Sequence, residues 1–255
     1  MMGKLFLIGL GPGDGDMQTP QAAHALTSAD DIVGYKSYIE RLTDRLPHQS
    51  LHLSGNGSEL ARARHALALA SSGRTVAVVS GGDAGVFAMA AAVFEAIESG
   101  EEGWRSLDVE VIPGISAVLA VAARLGAPLG NDFCVLSLSD NLKPWELVLQ
   151  RVTAAARAGF VLALYNPASR ARPWQLPSAL ARLREILSPD TPVAFATAVT
   201  RAQERIAVVD LAHADEQEAD MSTLVLVGTK TTRRIERPGG TPWLYTRRSA
   251  SEALS

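Results

Sequence analysis

The sequence predicts an α/β protein whose first half is an open, mostly parallel sheet and whose second half is a further α/β set with a mixed sheet. Three observations carry that expectation. Short β-branched apolar runs recur along the 255 residues, a turn rich in glycine or proline follows several of them, and a helical stretch follows the turn. The clearest case runs from Thr75 to Glu98: strand Thr75-Val-Ala-Val-Val79, loop Ser80-Gly-Gly-Asp-Ala-Gly85, then a helix from Val86. In a parallel sheet such loops gather at the carboxyl edge of the strands, where glycines let a ligand approach the backbone. Read alone, Gly81, Gly82 and Gly85 could equally serve only to shape a turn.

In chain order, Lys4 to Leu10 is a compact apolar strand ending in Gly9-Leu-Gly-Pro-Gly-Asp14. Thr19-Pro20 supplies an N-cap and a first-turn proline for a helix through Ala29. Ile32 to Tyr35 follows as a strand, Tyr38 to Leu46 as a helix, Leu51 to Leu53 as a short strand and Ser58 to Ala70 as a helix. After the Thr75 unit come strand Asp108 to Ile112, the loop Pro113-Gly-Ile-Ser-Ala117 and a helix to Leu125. Ala127-Pro-Leu-Gly-Asn131 breaks the pattern and marks the domain boundary, giving domains 1–126 and 127–255. The second set reads as strand Cys134 to Ser139, helix Pro144 to Arg157, strand Phe160 to Tyr165, loop Asn166 to Arg172, helix Trp174 to Leu187 and strand Val193 to Ala198. Arg205 to Leu211 and Thr223 to Val227 are strands joined by an acidic segment too short for a full crossover helix, hence the mixed sheet. Gly239-Gly-Thr-Pro242 and the Ser/Ala-rich end read as a partly ordered tail.

Composition excludes several classes. With 47% hydrophobic and 20% charged residues the chain reads as soluble and globular, and no apolar run approaches the roughly 20 residues of a membrane span. The opening Met-Met-Gly-Lys-Leu-Phe-Leu-Ile-Gly reads as a strand rather than a signal peptide, so a cytoplasmic location is expected. A net charge of −3 argues against bulk nucleic-acid binding. One cysteine, Cys134, leaves no disulfide framework and suits core packing; the five histidines have no metal-ligand spacing, so no metal is expected. A dinucleotide reading of Gly9 and Gly11 fails because the helix starts late, at Thr19, and no acid ends the second strand.

Five stretches together, Gly9-Leu-Gly-Pro-Gly-Asp14, Ser80-Gly-Gly-Asp83, Pro113-Gly-Ile-Ser-Ala117, Leu164-Tyr165 and Thr223-Leu-Val-Leu-Val-Gly228, resemble those of the tetrapyrrole methyltransferases that use S-adenosylmethionine. Val33-Gly-Tyr-Lys-Ser-Tyr38, Gly82 to Met89 and Leu164-Tyr-Asn-Pro-Ala-Ser-Arg170 resemble the branch of cobalamin biosynthesis that methylates C17 of a precorrin and contracts its ring. The resemblance implies two α/β domains, each with a mixed, mostly parallel sheet, with the cofactor in the cleft between them, and a homodimer. It implies main-chain cofactor contacts at Pro12, Gly81, Gly82, Asp83, Val86, Ser116, Ala117, Asn166, Ala198 and Thr229. Two positions depart from the family pattern. Thr197-Ala198-Val199 lacks a common asparagine-alanine pair, and Gly81 stands where a serine is frequent, a change expected to matter little.

Methyl transfer is an in-line displacement that needs orientation and a dry site more than a base or metal. Asp83 is the residue expected either to orient the cofactor or to cap the helix near Val86. Ring contraction would use a proton donor or acceptor, for which Tyr35, Lys36 and Tyr165 stand at or beside strand ends; both tyrosines could instead be packing residues. The substrate is a polyanion, so Arg41, Arg170, Arg172 and Arg201 are candidate carboxylate anchors, with Tyr35 beside them. Other readings are a relative that methylates uroporphyrinogen III or precorrin-4, diphthine synthase, or a non-catalytic module that binds a tetrapyrrole or nucleoside.

Overall fold

A strand buried on both faces carries apolar side chains at consecutive positions, as Leu5-Phe-Leu-Ile8 and Val76-Ala-Val-Val79 do. In the computed structural model, which describes residues 3–13, 15–42, 46–55, 57–169 and 171–249, both runs lie inside one sheet. Its strands are β1 (Lys4–Gly9), β2 (Asp31–Tyr35), β3 (Ser50–Ser54), β4 (Thr75–Ser80) and β5 (Asp108–Ile112), in the order β3-β2-β4-β1-β5. Every pairing is parallel, so this sheet is not mixed as the family resemblance implied. Alternation sends Leu5 and Leu7 to one face, under α3 (Glu59–Ser71) and α4 (Met89–Ser99), and Phe6 and Ile8 to the other, under α1 (Pro20–Ser28). The Thr19 hydroxyl caps α1 by accepting the Ala22 N–H, with Pro20 at the first position.

Contacts divide the chain into Met1–Ser116 and Ala117–Ser255, earlier than the boundary expected at 126. The reason is that α5 (Ala117–Leu125) runs into β6 (Gly126–Ala127), which pairs in parallel with β13 (Gly240–Thr246). The Thr246 hydroxyl also donates to the Pro128 carbonyl at 2.6 Å. The segment read as a boundary is therefore fastened to the end of the second unit.

The second unit holds β7 (Phe133–Ser137), α6 (Trp145–Arg157), β8 (Val161–Tyr165), α7 (Gln175–Arg184), β9 (Pro192–Thr197), β10 (Arg205–Asp210) and β11 (Thr223–Val227). The sheet order is β10-β9-β11-β8-β7. It is mixed, but not mostly parallel: β7 and β8 are parallel, whereas β9–β10, β9–β11 and β8–β11 are antiparallel. The short links after β9 and β10, the latter a 3-10 turn at Leu211–Glu216, cannot make the crossover a parallel neighbour needs. One face packs Leu162, Leu164, Phe195 and Val225 against α6 and α7. Cys134 packs against the same core, and burial pushes its thiol pKa up, which suits the expected packing role.

Three element expectations change. The helix from Tyr38 to Leu46 contracts to α2 (Lys36–Ile39), residues 43–45 lying outside the described set; Pro47 disfavours helix at Leu46. The helix after Gly85 begins at Met89, because Phe87 has φ +51° and Ala88 is extended. The expected tail is a hairpin: β12 (Thr232–Arg237) pairs with β13 across a turn at Pro238-Gly239, where Gly239 has φ +70°.

Candidate active site

All strands of the first sheet point one way, so the ends of β1, β2, β4 and β5 share an edge. There the backbones nearly touch. Gly11 and Gly82 exchange two hydrogen bonds, of 3.0 and 2.7 Å. A Cβ on Gly9 would lie 2.7 Å from the Gly82 carbonyl oxygen and the Gly114 nitrogen, and one on Gly114 would lie 2.3 Å from that same oxygen. Only glycine lets three loops converge so closely. Sequence reasoning placed these loops together but did not single out Gly9 and Gly114.

Asp83 ties the loops and does not cap α4. Its Oδ1 accepts the Gly85 N–H at 2.8 Å and its Oδ2 the Gly114 N–H at 3.0 Å. The first N–H of α4 goes instead to buried Ser80, whose Oγ accepts from Met89 at 3.3 Å. Gly81 has its Cα against Tyr38: a Cβ there would stand 2.8 Å from the ring. A serine at this position would therefore require the half-buried Tyr38 ring to shift. Pro12 and Ser116 are buried and Val86 is half-buried.

At the end of β2, Tyr35 meets Tyr38 edge to face with centroids 5.4 Å apart. Lys36 is exposed and lies 3.6 Å from Glu40. Arg41 donates from Nε to the Ser37 carbonyl at 2.8 Å, with its guanidinium 5.2 Å from the Tyr38 ring centre.

In the second unit the antiparallel β11 lies between β8 and β9, so β7, β8 and β9 all end on one edge. Tyr165 ends β8, and its hydroxyl oxygen accepts the Val118 N–H in the first turn of α5 at 2.9 Å. Asn166 follows with φ +52° and donates from Nδ2 to Ser137 Oγ at 2.9 Å. Ala198 follows β9 with φ +51°, its N–H donating to the Ser222 carbonyl at 3.0 Å. Ala117 opens α5. Arg172 donates to Asp140 at 2.9 Å and also bonds Asn141, while buried Gln175 reaches the same Asp140 oxygen at 2.8 Å. Arg172 is thus committed to a protein carboxylate, and Arg170 lies outside the described residues.

Thr229 is not brought to this edge. It follows β11 at the opposite end of the sheet, where the Gly228 N–H donates to the Pro192 carbonyl, and its hydroxyl bonds that of Thr231 at 3.0 Å. Thr229 was expected there only from the family resemblance; β11 runs antiparallel to β8 and β9, so its C-terminal end lies at the opposite edge. Ser137, Asp140 and Gln175 were missed by sequence reasoning, because each acts through a partner 29 to 35 residues away with no local spacing signal.

Among the described residues no group of three or more His, Cys, Asp or Glu side chains could hold a metal ion, and no helix is long and apolar enough to cross a membrane. A dinucleotide site is disfavoured by geometry, since a 3-10 turn at Gly15–Met17 separates the first glycine loop from α1.

A family model described as Tetrapyrrole (Corrin/Porphyrin) Methylases matches residues 4–215. A Sinorhizobium protein named precorrin-3B C(17)-methyltransferase is 52% identical over 248 residues, 97% of this chain and 97% of its own. The solved structure of the methyltransferase CobJ matches with a TM-score of 0.91 at 48% identity, covering 96% of this chain and 100% of that one. Uroporphyrin-III C-methyltransferase from Thermus thermophilus, solved with S-adenyl homocysteine, shares the fold: TM-score 0.69, 20% identity, 89% of this chain and 97% of that one.

Proposed function

We infer the activity from one premise: the chain belongs to the tetrapyrrole (corrin/porphyrin) methylases. It is an S-adenosylmethionine-dependent C-methyltransferase that methylates C17 of precorrin-3B, with ring contraction, in the aerobic route to cobalamin. The observation that carries this reading is the 52% identity, over nearly the whole of both chains, to the Sinorhizobium enzyme of that name.

The residues present suit the methyl donor. Glycines and peptide groups, rather than ionised side chains, dominate the first-unit edge, and a sulfonium that loses its charge on transfer is best met by oriented dipoles. When bound, S-adenosylmethionine supplies an electrophilic methyl group, and the attacking carbon belongs to the macrocycle. Pro12, Gly81, Gly82, Val86 and Ser116 in the first unit, and Ala117, Asn166 and Ala198 in the second, are the residues we assign to cofactor binding. Asp83 acts by fixing the loops, since both its oxygens are engaged by backbone N–H groups. Holding the reactants in attack geometry and excluding water then supplies most of the rate.

Ring contraction requires proton movement at the macrocycle, and Tyr165 and Lys36 are assigned to it. Tyr165 is the better oriented, because the Val118 N–H fixes its hydroxyl oxygen. Arg41, Arg170 and Arg201, with Tyr35, are assigned to the substrate's carboxylates, and Arg172 to shaping the loop it ties to Asp140. The protein acts as a homodimer in the cytoplasm on this reading. The test supplies methyl-labelled S-adenosylmethionine with precorrin-3B, uroporphyrinogen III or precorrin-4. Label at C17 of a ring-contracted product, from precorrin-3B alone, is expected; transfer only to another substrate, or none, refutes the assignment.

A further inference from the structure

Left-handed backbone is uncommon for any residue with a Cβ and strained for a β-branched one. Among the described residues four non-glycine positions adopt it, Phe87, Asn166, Ala198 and Thr200, each in a segment that follows a strand. Two of the four fall in the single turn after β9. Thr200 there has φ +67°, and its buried Oγ1 has no hydrogen-bond partner. A turn that carries both a β-branched left-handed residue and an orphan hydroxyl relaxes unless something holds it.

The holding group is Glu204. Its Oε2 accepts the Thr200 N–H at 2.6 Å, and both its oxygens receive Arg124 Nε at 3.1 Å. The Arg201 N–H donates to the Ala198 carbonyl at 3.0 Å, and the Glu204 N–H to the Arg201 carbonyl at 2.9 Å, so the segment is closed on itself. Arg124 stands in the last turn of α5, the helix whose first turn supplies the Val118 N–H to Tyr165. One helix therefore fastens the ends of both β8 and β9. What the turn presents is a half-exposed Ala198 whose N–H and C=O are both hydrogen-bonded within the protein, while the neighbouring hydroxyl pair Thr197–Thr223, 2.8 Å apart, is buried beneath it. With its peptide groups satisfied and no charge of its own, such a surface suits the flat face of an uncharged ring such as a nucleobase better than a carboxylate.

We propose that Glu204, locked by Arg124, is a positioning residue that holds the 198–201 turn in its left-handed form for contact with the nucleoside part of the methyl donor. This rests on the cofactor assignment of Ala198 above. Calorimetric titration with S-adenosylhomocysteine, alongside thermal melting and separate KM values for donor and tetrapyrrole, tests it on wild type, Glu204→Ala, Glu204→Gln and Arg124→Ala. Glu204→Ala should weaken binding of the demethylated product about tenfold or more. Glu204→Gln, which keeps an acceptor oxygen for Thr200, should recover most of that loss, Arg124→Ala should fall between the two, and the donor KM should rise several-fold more than the tetrapyrrole KM, which moves only through Arg201 in the same turn. A folded Glu204→Ala that binds as wild type, or variants that raise both KM values equally, overturns the proposal. If Glu204→Ala does not fold, an Arg124→Ala protein with wild-type affinity overturns it instead. Wild-type protein that gives no heat overturns the cofactor assignment and this inference together.

Discussion

Replacing Gly114 by alanine probes the convergence of three strand ends directly. The new Cβ would stand 2.3 Å from the Gly82 carbonyl oxygen and 2.7 Å from the carbonyl carbon and oxygen of Gly9. Carbon and oxygen normally approach to about 3.3 Å, so the overlap is roughly 1 Å against atoms that belong to the main chain of neighbouring strand ends. No side chain can swing aside, and the loops after β1, β4 and β5 must part. An overpacked methyl costs about 1–3 kcal/mol. Separating the Gly114 N–H from the Asp83 carboxylate, now 3.0 Å away, adds about 1.5 kcal/mol. A total of about 2.5–4.5 kcal/mol corresponds to a fall in Tm of roughly 5–18 °C for a chain of this size. Thermal denaturation followed by circular dichroism measures it, and a calorimetric titration with S-adenosylhomocysteine should show weakened binding in parallel. Gly15→Ala is the matched control, since nothing lies within 4 Å of its added Cβ. A Gly114→Ala protein that melts with the Gly15→Ala control would refute the argument.

Two further outcomes follow from named contacts. Burial opposes ionisation of Asp31, but hydrogen bonds from Arg74 and His52 outweigh it and hold its pKa below the usual 3.8. A depressed carboxylate stabilises the fold above its unfolded pKa and loses that contribution as pH falls through the folded value. Asp31→Asn should therefore melt well below wild type at pH 7, with the gap closing on acidification below pH 3.8; a gap constant with pH contradicts the assignment. Tyr165→Phe removes the acceptor of the Val118 N–H and should cost about 1 kcal/mol of stability. It should also slow formation of the ring-contracted product about a hundredfold, read by product mass, while affinity for S-adenosylhomocysteine is kept. Undiminished turnover removes Tyr165 from the mechanism.

Much of the architecture was legible in local pattern. Consecutive apolar residues from Leu5 to Ile8 and from Val76 to Val79 specify strands buried on both faces, and Thr19-Pro20 specifies where α1 begins. The loops that carry glycine after β1, β4 and β5 were recognisable because a parallel sheet sends all its strand ends to one edge. Local pattern is less informative where direction is set by neighbours. The 3-10 turn after β10 is too short for a crossover, yet only the pairing register shows β11 inserted between β8 and β9, which brings Asn166 and Ala198 to one edge and sends Thr229 to the other.

By itself the sequence determined which segments become strands, where their glycine loops fall, and hence where ligand chemistry concentrates, because periodicity and turn chemistry act between near neighbours. Tertiary structure alone decided that Asp83 staples Gly85 to Gly114, that Tyr38 fills the space beside Gly81, and that Glu204 and Arg124 restrain the turn at Thr200. Each of those contacts depends on which strand ends and helices meet in space. A hydrogen bond spanning 31 residues, or 80, leaves no spacing in the chain from which it could be read.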